Sequence, residues 1–505
     1  MRVFFPAAAA LLLMSCAGSP STTPTKADRS SMTALPPELV GRDLPRELAS
    51  LQREGRIADA EAWIDRAVGK GAAPTDPLVI ERERLRRLRR DYRVSSGDLL
   101  ATLTKTIPDA TAVDLERWRE AGHLQWLRID GEVCYFRREP SNLYRLSAEA
   151  RERRDAATKK ASSGPDGDPN ARVTAKFDLH DYVLRHLAEA EEQGTETPGA
   201  LKIHATHTVT VNPGAVPEGE TVRCWIPYPQ EYHRQRDVKL LSASPADPLI
   251  APKGSGFRTA YFEAPAPASG TPLEFRLEYV YTTSAYIPSI DPAKVTAASP
   301  DSEIFREFTR DQPPHVDLSP AIRSLAAEIV GGEKNPYLAA DRIFRWISGN
   351  FRYCAEMEYS IITGITDKAL NQRAGDCGIH ALLFIALCRA SGIPARWQSG
   401  WAMRPGSENL HDWAEFYVEP HGWLPADPSF GLRTHDDPRV RDFYIGHIDP
   451  FRMIANMDYA QPFVPAKTHW PSDNIDNQRG EVEWAGGNLY YDDWKHKMTV
   501  EYEFQ

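Results

Sequence analysis

Between Gly375 and Asp427 the sequence leaves few folds open. Gly375 and Asp376 interrupt the preceding pattern, and Leu382, Leu383, Phe384, Ala386 and Leu387 then recur as in a buried helix. Cys377 begins that helix, where unpaired amides and the positive end of the dipole favour a thiolate and a lowered pKa. Gly392 and Pro394 stop the helix, and Arg396 to Trp401 reads as a short strand. From His411 to Glu419 residue types alternate, so His411, Trp413, Glu415 and Tyr417 share one face. Gly422 to Asp427 is the returning strand. A cysteine, a histidine and an aspartate follow in order at the edges of these elements. That is the layout of a thiol nucleophile, its base and the group that orients the base.

The register of the hairpin stays open. A turn centred on Glu419 sets Asp427 opposite His411, and one centred on His421 sets it opposite Glu415. Cys388 lies about three helical turns beyond Cys377, roughly 16 Å away, so the two cannot be bridged. Cys388 reads as core.

These blocks (Gly375-Asp376-Cys377-Gly378, His411-Asp412-Trp413-Ala414-Glu415 and Trp423-Leu424-Pro425-Ala426-Asp427-Pro428) resemble the transglutaminase-like superfamily of papain-type thiol enzymes. The resemblance runs from about Ser319 to Phe430. It implies Cys377 as nucleophile, His411 as general base and acid, and Asp427 as the orienter of His411. The preceding helix matches Ala339 to Phe351 and leads to Tyr353, a candidate oxyanion donor beside the amide of Cys377. Trp401, Trp413 and Trp423 could wall an acyl tunnel and bind substrate, although packing in a hydrophobic core is the commoner explanation of such aromatics.

The remainder of the chain says where such a unit would work. Arg2, an apolar run from Val3 to Met14 and Leu13-Met14-Ser15-Cys16 form a signal-peptide pattern too short to span a membrane. Its ending resembles the bacterial lipoprotein box, which implies cleavage before Cys16, lipidation of Cys16 and a tether in the cell envelope on a periplasmic or outer-membrane face. Gly18 to Met32 suits a flexible tether. Without Cys16 five cysteines remain, an odd count that suggests a free thiol. The pairing of Cys134, Cys224 and Cys354 stays open. No zinc-type or EF-hand spacing is present, so no metal and no cofactor is expected. The net charge of −10 argues against a nucleic-acid partner.

The fold expected is α+β and multidomain. A signal peptide (1–15) and tether (16–34) precede a helical region (35–155) that ends in a winged-helix-like unit of two helices and an Asp130-Gly131 hairpin. Within it, seven arginines between Glu81 and Arg93 read as a solvated helix face. A linker (156–172) leads to a helix and β-sandwich (173–290), then the catalytic core (300–435). A C-terminal segment (436–505) with Trp484, Leu489, Tyr490, Tyr491 and Trp494 is expected to pack on the core or the sandwich.

The resemblance implies a membrane-anchored thiol acyl-transfer enzyme acting on a protein or peptide, with hydrolysis through a thioester as the first reading. Cross-linking by amine transfer, a non-catalytic envelope scaffold and, more remotely, deglycosylation are the alternatives. Oligomeric state and substrate identity are not legible.

Overall fold

The computed structural model describes residues 35–69, 71–162, 178–268 and 270–504. Cys16, the signal pattern, the tether and most of the linker lie outside them. The chain is α+β and multidomain.

The core is a helix laid on an antiparallel sheet. Helix Cys377–Ala390 is buried along nearly its whole length because its sequence is apolar all round, so it runs as a central rod rather than an amphipathic cover. Asp376 caps it, accepting a hydrogen bond from the Ile379 amide. Helices Pro320–Val330, Pro336–Asn350 and Ile365–Gln372 pack around it. The first two start with the serine or asparagine cap and first-position proline that the sequence supplies. The sheet runs Gly422–Ala426, Ser407–Val418, Ala395–Arg404, Arg452–Met457, each pair antiparallel. Phe384 of the helix meets Phe416 of the sheet, and truncating such a filled contact costs roughly 3–5 kcal/mol.

Two further sheets form the sandwich. One orders Gly487–Leu489, Glu481–Trp484, Thr221–Pro227, Thr259–Pro265 and Leu249–Ile250; the other orders Trp494–Phe504, Leu201–Val211, Leu273–Thr283 and Gln235–Ser244. Here the sequence expectation needs correcting. The chain's last strands do not merely pack on a finished sandwich, since they complete both of its sheets. The pairing Leu201–Val211 with Trp494–Phe504 joins segments almost 300 residues apart, which local patterning cannot register.

The N-terminal unit has its own small core of Leu99, Leu103, Leu115, Trp118, Leu124 and Tyr135. Its hairpin turns at Asp130-Gly131, both at positive φ as a type I′ turn requires. The arginine run also needs correcting. Arg84 and Arg87 are buried rather than solvated. Arg84 pairs with Glu81 and donates to the Leu39 and Ile361 carbonyls. Arg87 donates to the carbonyls of Trp470, Pro471 and Ser472. Carbonyl-rich segments without regular structure need such donors, and a guanidinium offers several at once. Helix Pro77–Asp91, which carries these arginines, therefore ties down the strap 458–480, which crosses to the site described next.

Candidate functional site: a buried histidine–aspartate pair beside a thiol

The hairpin turns on Pro420, with Val418 opposite Gly422 and Ala414 opposite Ala426. Neither anticipated register holds. Asp427 follows the last pair and stands level with Trp413, diagonal to His411. Diagonal neighbours lie within reach of long side chains, and His411 Nε2 meets Asp427 Oδ2 at 2.7 Å. Gly400 backs His411 on the neighbouring strand, and a Cβ there would lie 2.1 Å from the Met453 carbonyl, so only glycine fits the approach.

Asp427 is held from several sides. Arg452, fully buried, donates to it and to Asp449; Ser429 Oγ and the Phe430 amide bond its other oxygen. Burial alone would raise the Asp427 pKa, but His411 and Arg452 outweigh it and hold the carboxyl below the usual range. Burial also lowers the His411 pKa against the pull of Asp427, favouring a neutral imidazole. With Nε2 committed to Asp427, Nδ1 is the nitrogen left for proton transfer.

Cys377 makes a different contact. Its Sγ lies 3.2 Å from Asp412 Oδ2, and no hydrogen bond joins it to His411 among the described residues. The thiol's hydrogen bond therefore goes to the residue next to the histidine. The expectation of a lowered thiol pKa is thereby reversed. Burial, then the Asp412 and Asp376 carboxyls, push Cys377 well above its ordinary value and outweigh the helix N-terminus.

Asp412 is the residue the sequence reading missed. Burial and the nearby Asp376 push its carboxyl up to about 7. Gln478 from the strap donates to Asp412 Oδ1 and to the His411 carbonyl. Tyr359 donates to Asp376 at 2.6 Å and reaches Asp412 at 3.4 Å. Tyr359 can do so because residue 378 is glycine: a Cβ there would sit 2.0 Å from the Tyr359 hydroxyl. Gly378→Ala is therefore expected to displace Tyr359, seen as increased amide exchange at the Asp376–Ile379 cap; unchanged exchange would contradict this. The only signal in the sequence was the acid placed between His411 and Trp413.

Asp412→Asn provides a second check. It removes a carboxyl beside the thiol, so Cys377 alkylation at pH 8 should quicken by about tenfold, the change in thiolate fraction carried by one pKa unit. Below pH 6 the wild-type carboxyl is protonated and the two rates should converge. A gap that does not open between pH 6 and 8 would refute the role of its charge. The same sign governs stability. A carboxyl whose folded pKa is raised to about 7 favours the folded state at low pH, and this contribution is lost as pH rises through about 7.

A cavity of about 1080 Å³ opens over the thiol. Tyr353 and Trp401 line it with Cys377 and Asp412. Tyr353 stacks over His380 at 6.1 Å, and Trp401 donates its Nε1 to the Gln478 carbonyl. Trp413 and Trp423 do not line it. Trp413 is buried against His411 and Gln398, and Trp423 packs on Arg396 and Phe308. Their contacts suit a packing role rather than a tunnel wall. All five cysteines among the described residues are free. No cluster of three or more His, Cys, Asp or Glu among these residues could hold a metal ion.

Comparison with known proteins bears on the same stretch. Over 123 residues the chain is 28% identical to the protein-glutamine gamma-glutamyltransferase of Pseudomonas aeruginosa, covering 22% of this chain and 18% of that one. Over 141 residues it is 29% identical to an uncharacterized protein of Haemophilus influenzae, covering 23% and 37%. The chain thus matches well under half the length of these relatives. A candidate cysteine protease of known structure from Cytophaga hutchinsonii is 20% identical, with a TM-score of 0.43, over 61% of this chain and 90% of that one. Residues 323–428, which carry Cys377, His411 and Asp427, match the transglutaminase-like superfamily, and this segment is a transglutaminase-like core set within a longer chain.

Proposed function

We propose that the chain is a thiol acyl-transfer enzyme that cleaves peptide or amide bonds, with Cys377 as nucleophile, His411 as base and acid, and Asp427 as orienter. The observation that carries this reading is the buried 2.7 Å bond from His411 Nε2 to Asp427, on the strand whose next residue meets the thiol. That bond fixes the imidazole and leaves Nδ1 free to take a proton. In the reaction Sγ turns from Asp412 toward His411, gives its proton to Nδ1, and bonds to the carbonyl carbon. The departing amine takes that proton as the C–N bond breaks, leaving a thioester. Water, deprotonated by His411, then attacks the thioester and releases the acid and the thiol. The Cys377 amide and Tyr353 are the donors proposed for the oxyanion.

Amine transfer is the second reading, supported by the name of the Pseudomonas relative. An envelope site for the protein, tethered through Cys16, rests on the sequence pattern. A defined peptide library, incubated with and without a primary amine, separates these readings by mass spectrometry. New termini with wild type and none with Cys377→Ser indicate hydrolysis; amine incorporation indicates transfer. A wild type that matches Cys377→Ser in both assays would overturn the enzymatic reading in favour of a scaffold.

A further inference from the structure

The cavity over Cys377 has one wall that the catalytic reading does not use. Five consecutive residues, Trp494, Lys495, His496, Lys497 and Met498, all line it. Alternate residues of a strand point to opposite faces, so a run of five can border one cavity only along the strand's edge. This strand is indeed an edge. It pairs with Leu201–Val211 on one side, and no other strand among the described residues pairs its outer side. Across the cavity, Glu408, Asn409 and Leu410 belong to the strand that carries His411. Strand Gly422–Ala426 covers that strand only as far as Ala414, so its outer side is also unpaired at these residues.

Charge is distributed unevenly around this slot. Lys495, Lys497 and Arg145 are exposed on its walls and make no ion pair among the described residues. Arg145 comes from the N-terminal unit and lies over Tyr353 at 5.6 Å. Of the wall carboxylates, Glu358 pairs with Arg479 and Arg137 and Glu356 with Lys368, Glu408 accepts from the Tyr502 hydroxyl, and Glu139, Asp376, Asp412 and Asp473, deeper in the slot, make no ion pair among the described residues.

We propose that the outer edge of strand Trp494–Phe504 is a docking edge on which an extended, acidic peptide adds as a further strand, its carboxylates meeting Lys495, Lys497 and Arg145. Main-chain hydrogen bonds would supply the affinity, and the cations would choose acidic residues on either side of the reacting carbonyl. Five strand residues span about 17 Å of the wall of the cavity that Cys377 also lines. The inference rests on the proposed catalytic reading in that the edge leads to Cys377. Lysines can also guard an edge against pairing, and that alternative is an outcome of the test.

The test uses the full chain carrying Cys377→Ser and two labelled ten-residue peptides with a central glutamine. One alternates glutamate with valine and the other lysine with valine, and binding is read by fluorescence anisotropy. The acidic peptide should bind about tenfold more tightly, the product of two or three exposed ion pairs. N-methylation of alternate amides should abolish binding in one phase and spare it in the other. Lys495→Glu with Lys497→Glu should reverse the charge preference. Equal binding of the two peptides, equal damage from both methylation phases, an unaltered preference in the double variant, or no binding at all would each overturn the docking edge. Acylation of wild-type Cys377 by p-nitrophenyl acetate, which needs no peptide, reports separately on the catalytic reading.

Discussion

His411→Ala is expected to slow the acylation of Cys377 by about 10³-fold or more, measured as the burst with p-nitrophenyl acetate. The thiol pKa is raised by burial and by two carboxyls, so little thiolate exists at neutral pH without a base. The only imidazole fixed by a buried carboxylate on the neighbouring strand is His411 among the described residues. Asp427→Asn should cost a comparable factor, because an amide no longer stabilises the imidazolium that forms when the thiol gives up its proton. Members of one proton relay are non-additive, so the double variant should be little worse than either single one. Additive losses would show that the two residues act independently. An unchanged burst in His411→Ala would mean that the thiol reacts from its position at Asp412, and the proposed relay would fail.

What could be read from the sequence follows the range of the interactions. The cysteine helix, its cap and its stop depend on neighbours within four residues, and they stand where Gly375, Asp376, Gly392 and Pro394 put them. The hairpin register did not, because Pro420, His421 and Gly422 could each belong to the turn. Only the packed sheet selects Pro420 as its centre. Contacts that close over tens to hundreds of residues left no local trace. Gln478 reaches Asp412, Arg87 holds the strap, and the last strand pairs with Leu201–Val211, each across a separation that periodicity cannot sense. The arginine run misled for a related reason. A basic face looks solvated until the carbonyls that will cover it are known.

Arg452→Met is expected to destabilise the core by about 3–5 kcal/mol, as a shift in the urea midpoint of the core-sheet signal. The arginine is fully buried and bonds two buried carboxylates, Asp427 and Asp449, so its removal strips both of the only arginine bonded to them among the described residues, leaving Arg234 and Arg404 to act on Asp449 through space. Phe430 lies 4.2 Å from the guanidinium, and a methionine keeps that apolar contact, so the loss reports charge rather than volume. Adding Asp427→Asn and Asp449→Asn to Arg452→Met removes the stranded charges and should restore much of the lost stability. It should not restore acylation, since His411 then faces an amide. Recovery of stability without recovery of the burst would separate the two tasks of Asp427, one in holding the sheet together and one in holding the imidazole. If Arg452→Met were as stable as wild type, the carboxylates would have to be neutralised by protons instead, and the depressed pKa of Asp427 on which the ion-pair relay depends would be lost with it.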